Sequence, residues 1–149
     1  MNTRVVRVLF VVCLLVVTTA AATAQLSVGV ILGEPTGLSA KLWVSDGASV
    51  DLAVAWSFIG GGSIYIHGDY QQHFRYADVP SGKLYFFVGA GPKMYIGDDV
   101  QLGIRIPLGA VYEFEQAPLE VFIEAAPGLL LFPETNFDGS GGIGVRYRL

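Results

Sequence analysis

His67 and Asp69 stand two residues apart in Tyr65-Ile66-His67-Gly68-Asp69, with Ser57 shortly before them. A hydroxyl, an imidazole and a carboxylate are the groups from which a hydrolase assembles a nucleophile, a general base and its orienting partner. Residues two apart share a face of an extended strand, so His67 and Asp69 would project together, with Ser57 on the neighbouring strand. Residue types without geometry do not make an active site, and an enzyme acting on lipid needs a site that acyl chains can reach. The expectation is therefore a protein without catalysis, with a lipid-modifying enzyme as the alternative. His73 is the other histidine, six residues from His67 and about 20 Å away along an extended strand. No metal site is expected from His67, His73 and Asp69, and no cofactor.

These residues follow an N-terminal segment with its own logic. Arg4 and Arg7 precede an apolar run from Val8 to Val17, and Ala22-Thr23-Ala24 follows. A basic start, a short apolar run and a small-x-small tripeptide make a secretory signal peptide over residues 1–24. Cys13 lies inside the apolar run after Val12, where a lipidation signal would need a small residue, so lipidation is not expected. Beyond residue 24 the chain has no cysteine, which excludes both a disulfide framework and a thiolate site there. Seven bases face thirteen acids over Gln25–Leu149, a net charge of −6. Nucleic acid calls for a basic stripe, and none is present. No run after residue 24 approaches the roughly twenty apolar residues of a membrane helix, so a membrane reading requires a barrel.

Apolar residues over 25–149 recur with period two and not at helical spacing. Turn chemistry at Gly33-Glu34-Pro35-Thr36, Asp46-Gly47, Gly60-Gly61-Gly62, Ala77 to Gly82, Gly97-Asp98, Glu115-Gln116-Ala117 and Pro133 to Phe137 divides them into eight runs. The predicted strands are 25–32, 37–45, 48–58, 63–75, 83–96, 99–114, 118–132 and 138–149. Strands joined this tightly are antiparallel neighbours, which predicts an all-β, eight-stranded up-and-down barrel forming one domain.

The two faces of each run decide where the polar side lies. Leu102, Ile104, Ile106, Leu108, Ala110, Tyr112 and Phe114 oppose Gln101, Gly103, Arg105, Pro107, Gly109, Val111 and Glu113. Val50, Leu52, Val54, Trp56 and Phe58 likewise oppose Asp51, Ala53, Ala55 and Ser57. Every strand charge falls on one face, and Gln72 is the single clearly polar residue on the other. The charged face is also the small one, with Gly29, Ser39, Gly89, Gly91, Gly103, Gly109 and Gly144. Small residues crowd the concave side of a tight barrel, so the polar face is interior and the apolar face meets lipid. A soluble periplasmic barrel would show the reverse, and it is the second alternative. With the first strand starting at the periplasmic rim, Phe74, Phe86, Tyr112, Phe114 and Tyr147 form one aromatic girdle, and Trp56, Phe58 and Phe132 belong to the other.

The motifs Gly33-Glu34-Pro35-Thr36-Gly37, Gly103-Ile104-Arg105-Ile106-Pro107, Ala125-Ala126-Pro127-Gly128 and Gly142-Ile143-Gly144-Val145-Arg146-Tyr147 resemble small eight-stranded outer-membrane barrels of the OmpA and OmpX type. More closely, they resemble compact secreted barrels from double-membraned bacteria. The resemblance covers Gln25 to Leu149. It implies the bacterial cell outer membrane, contact with membrane lipid, and a last strand read by the outer-membrane assembly machinery. That strand ends in Leu149, where such families carry an aromatic residue.

Lys41, Arg75, Lys83, Lys93, Arg105, Arg146 and Arg148 are predicted to face inward with Asp51, Asp69, Glu113, Glu120 and Glu124, and His67 lies among them. Their near balance predicts an ion-pair network plugging the barrel, with Arg105 meeting Glu113. Glu34, Asp46, Asp78, Asp98, Asp99, Glu115, Glu134 and Asp138 fall in turns with no base beside them, which suits soluble rims or an extracellular partner, cationic or protein. Pro92, Pro107 and Pro127 each remove a donor from a ladder with no free edge, so bulges or bends are expected, above all at Pro127-Gly128. The predicted role is structural or surface-interacting.

Overall fold

Alternation gives strands along almost the whole chain, and the short turns leave each strand no neighbour but the next. The computed structural model describes residues 25–58 and 62–149; the signal peptide expected over residues 1–24 and part of the Gly60-Gly61-Gly62 turn lie outside them. Nine strands follow in order: β1 (Leu26–Glu34), β2 (Thr36–Trp43), β3 (Ala48–Ser57), β4 (Ser63–Val79), β5 (Gly82–Ile96), β6 (Val100–Arg105), β7 (Leu108–Phe114), β8 (Leu119–Phe132) and β9 (Asn136–Arg148). All pairings are antiparallel between neighbours, and β1 closes the ring against β9. The fold is an all-β up-and-down barrel.

Nine segments occupy eight positions around the ring, because Ile106-Pro107 splits the predicted strand 99–114. β6 and β7 both pair with β5 on one side and β8 on the other. Arg105 is opposite Gly91 and Leu108 is opposite Val88, so three residues pass on each strand and the register does not slip. The break is therefore the loss of one proline N–H, not a turn.

The predicted irregularity at Pro127-Gly128 is displaced. Pro127 pairs with Gly139 in an unbroken β8–β9 ladder from Leu119 to Leu130. The register shift lies further on, where Leu102 faces Phe132 and Gly103 faces Leu130, leaving Leu131 unpaired with β6. A second shift, between Arg75 and Ala77, leaves Tyr76 as the extra residue. It carries β4 on to Val79, beyond the predicted end, and β9 likewise starts earlier than predicted, at Asn136. Gln72 is explained by its turn: its amide nitrogen donates to the Gly47 carbonyl at 2.8 Å, tying the β2–β3 turn to β4.

The faces fall as the parity requires. Val30, Leu38, Leu52, Val54, Ile104, Leu108, Ile123 and Val145 are exposed on the outside, while Lys41, Asp51, Asp69, Lys93, Arg105, Glu120, Glu124 and Arg146 are buried inside. The buried apolar cluster is small, formed by Ile31, Phe87, Val111 and Phe122. It could not by itself order a domain of this length; the closed hydrogen-bonded ladder and the interior polar contacts complete the structure.

Candidate functional site

The interior has two arginine centres, each drawing on strands far apart in sequence. Arg146, on β9, donates through Nη2 to Asp51 Oδ2 at 2.5 Å and through Nη1 to Glu120 Oε1 at 3.1 Å. Its Nε and Nη2 both reach Ser39 Oγ, at 3.0 and 2.7 Å. Lys41 Nζ lies 3.3 Å from Glu120 Oε1, and the Arg146 guanidinium lies 3.8 Å over the Phe122 ring. Two cations thus meet two carboxylates, with one ring face supporting the planar guanidinium.

Arg105, on β6, pairs with Glu124 through Nη2 and lies 3.2 Å from Asp69 Oδ2 through Nε. Its Nη1 donates to Tyr65 Oη at 3.0 Å and reaches Ser140 Oγ at 3.4 Å. Asp69 Oδ2 is also 3.1 Å from His67 Nδ1. Sequence paired Arg105 with Glu113, and the structure corrects this. Glu113 is eight residues along the same lane, at the end carrying Gln25 and Leu149, where it lies 3.3 Å from Arg148 Nη1. Arg148 also donates to the carbonyls of Phe114 and Ala117, closing the β7–β8 turn.

Lys93 is fully buried and paired with Asp138, a residue assigned from sequence to an unpartnered rim. Asp78 likewise has a base: Arg75 Nη2 donates to it at 2.6 Å at the exposed end of β4, outside the interior where sequence placed Arg75. Lys83 is half-buried at the same end. Tyr65, Ser39 and Ser140 complete the interior contacts without having been singled out. Their only sequence signal was membership of the inward face.

The hydrolase residues do not come together. Ser57 bonds to Glu34 at the end away from the termini, while His67 pairs across the ladders with Ala53 and Lys93. The serine that does meet an imidazole is Ser49, whose Oγ is 2.9 Å from His73 Nε2. That pair is buried against Trp43, with ring centroids 4.4 Å apart, and among the described residues no carboxylate orients it. No cluster of three metal-ligating side chains occurs among the described residues.

Each end of the barrel is a mouth. The far mouth is a cavity of about 600 Å³ lined by Glu34, Ser57, Tyr95, Asp98, Asp99 and Asp138. The mouth at the termini, about 520 Å³, is lined by Trp43, Asp46, Lys83, Tyr85, Glu113 and Arg148. Between them Tyr65, Gln71, Arg105, Lys41 and Glu120 are at most 2% exposed.

Aromatic side chains mark both ends of the outer wall. Phe74, Phe86, Tyr112, Phe114 and Tyr147 lie at the end with the termini, where Phe74 faces Phe86 and Tyr112 stacks edge-on to Phe114 at 4.9 Å. Tyr76 joins them through the bulge, 5.1 Å from Phe86. Trp56, Phe58 and Phe132 lie at the opposite end, with Phe137 almost fully exposed beside them.

No protein-family model matches the chain, and neither does any curated protein. Among solved structures, it is similar to the N-terminal beta-barrel domain of Pseudomonas aeruginosa OprF, with a TM-score of 0.69 over 84% of this chain and 97% of that one. Identity is 16%, so the likeness is one of fold: a small antiparallel β-barrel, the architecture expected from the period-two alternation and tight turns.

Proposed function

We propose that the protein is a structural barrel of the bacterial outer membrane, its wall in lipid and its interior closed by the Arg105 and Arg146 centres. One observation carries this reading: the polarity of the fold is reversed. Buried charges fill the inside, and Val30, Leu38, Leu52, Trp56, Ile104 and Ile123 stand exposed outside. In water such a surface would aggregate, and in a bilayer it is the required one. The paired guanidiniums and carboxylates hold the strands at fixed spacing and leave no aqueous passage. No catalytic role is proposed, since Ser57 and His67 are apart and Asp69 is shared with Arg105.

The test is fractionation and electrophoresis. The protein should stay with the outer-membrane fraction and migrate differently when unboiled; release by osmotic shock together with heat-independent migration would overturn the reading. The pure barrel in planar bilayers should give no steady conductance. If His67→Ala with Asp69→Asn changed the lipid composition of the cell, the lipid-modifying alternative would replace it.

The far mouth favours a second role, at the cell surface. Glu34, Asp98, Asp99 and Asp138 give it a negative field, with Lys93 alone beneath, which suits a basic segment of an extracellular protein. Docking that weakens when Asp98 and Asp99 are replaced by Asn would support this; equal capture by both forms would dismiss it.

A further inference from the structure

Three prolines stand on three successive lanes of the wall, and their positions converge. Pro92 of β5 is opposite Ile104 of β6, while Ile106 donates to the Pro127 carbonyl of β8 at 2.9 Å. Pro107 accepts from Gly89 of β5 at 2.8 Å. In an antiparallel ladder, a residue whose carbonyl is bonded to one neighbour directs its N–H to that same neighbour. The missing Pro107 N–H was therefore owed to the Gly89 carbonyl, and the missing Pro127 N–H to the Ile106 carbonyl. By the same alternation, Pro92 faces β4 and leaves the Gly68 carbonyl without its donor.

The pairing shows the result. The β4–β5 ladder skips Gly68 and Asp69 opposite Pro92 and Gly91, and the ladders on both sides of Ile106-Pro107 skip those residues. The gaps form one band across β4, β5, the β6–β7 junction and β8. Among the described residues no side chain donates to these three carbonyls. By contrast, β1–β2, β2–β3, β3–β4, β8–β9 and β9–β1 pair without a skipped residue.

The outward residues at the band include Gly68, Ala90 and Pro92, which offer little side chain to bridge neighbouring strands. Behind it sits Asp69, buried, with Oδ1 bonded to nothing and placed 2.6 Å from where a Cβ on Gly91 would stand. Local opening is governed by the hydrogen bonds and packing that must be given up, and here the ladder bonds are the fewest in the wall.

We propose that the barrel parts laterally at this band, between β4 and β5 and at the β6–β7 junction, exposing Asp69 toward the membrane while the rest of the ring stays closed. This goes beyond the structural plug, which concerns the axis and not the wall. The opening is a minor state on the microsecond-to-millisecond scale, sampled without unfolding.

Nitrogen relaxation dispersion on the full barrel in detergent micelles reads such motion directly. Amides of 68–70, 89–91 and 105–108 should show exchange contributions at least fivefold above those of 28–31 and 38–41. Pro92→Ala and Pro107→Ala, which resupply the N–H, should each reduce the contribution at the band at least twofold. A band as quiet as β1 and β2 would overturn the inference, as would dispersion unchanged in both variants. Heat-dependent migration of each sample separates the cases: a barrel that migrates normally with a quiet band refutes only the lateral opening, whereas failure to form a heat-modifiable barrel counts against the membrane reading.

Discussion

The wall through β9, β1, β2 and β3 and the wall through β5 to β8 carry the same pattern of outward apolar and inward polar residues, yet are built to different tolerances. The first pairs every residue along its ladders. The second gives up three donors to Pro92, Pro107 and Pro127. Their interior centres differ in which strands supply most of the partners. Both span the interior, but Arg146 is bonded to Ser39 and Asp51 of the first wall besides Glu120 of β8, whereas Arg105 is bonded to Glu124 of the second and lies by Asp69 of β4, reaching the first only at Ser140. In a barrel, then, identical patterning does not imply identical rigidity, because parity sets the faces and backbone donors set the cohesion.

The largest effect that would test this difference is removal of a guanidinium. Arg146→Ala strands Asp51 and leaves Glu120 with Lys41 alone, inside a wall whose ladders have no skipped residue and little freedom to adjust. It should cost about 3 to 5 kcal/mol, the usual loss when one partner of a buried pair is deleted. Arg105→Ala should cost about half as much, because Asp69 keeps His67 Nδ1 within 3.1 Å and the incomplete ladders around the site can shift to close over the gap. Urea unfolding in micelles, followed by the fluorescence of Trp43 and Trp56, measures both. Equal losses would erase the distinction between the walls.

Two glycines make the same comparison through the backbone. A Cβ on Gly29 would lie 1.9 Å from the Val145 carbonyl oxygen, and a Cβ on Gly91 would lie 1.9 Å from that of Gly68. The next obstacles are also alike, Arg146 Cα at 2.6 Å for Gly29 and Asp69 Oδ1 and Cα at 2.6 and 2.7 Å for Gly91, so the difference lies in whether the facing strand can give: β9 is paired to β1 without a gap, whereas the β4–β5 ladder skips Gly68 and Asp69. Gly29→Ala should destabilise by about 3 kcal/mol and Gly91→Ala by about 1 kcal/mol, the ends of the usual overpacking range. The same unfolding curves read it, and a larger loss at Gly91 would show the second wall to be the stiffer one.

Much of this architecture was legible in the sequence, for a physical reason. Period two fixes which residues share a face, so the inward positions of Lys41, Asp51, Asp69, Arg105, Glu124 and Arg146 followed from parity alone. Partner choice did not. Arg105 and Glu113 share a face of one lane, but pairing across the interior depends on the stagger between strands, which brings Glu124 of β8 and Asp69 of β4 to Arg105 and Arg148 of β9 to Glu113. The bulges at Tyr76 and Leu131 were illegible because nothing in those residues marks an unpaired position. Proline marked the lost donors correctly but not the response: the ladder kept its register and gave up bonds, where a bulge or bend had been expected at Pro127.

Restoring a donor gives a smaller effect of opposite sign. Pro92→Ala returns an N–H to the Gly68 carbonyl in apolar surroundings, a gain of about 1 kcal/mol, set against a more disordered unfolded chain that offsets roughly half of it. The variant should be the more stable by about 0.5 kcal/mol in the same unfolding assay. Destabilisation would mean that the proline ring itself fills the wall at this point.

The smallest expected effect locates the edge of the weak band. Gly139 of β9 is opposite Pro127, and a Cβ there would meet nothing within 4 Å. Pro127 directs its bonding edge to Ile106 and presents its other edge to β9, where the ladder continues unbroken. Gly139→Ala should therefore change stability by no more than about 0.5 kcal/mol, as for an exposed site without special features, and leave the band's dispersion unaltered. A clear change in either quantity would place the β8–β9 ladder inside the band, and the two walls would then meet at Gly139 instead of at Pro127.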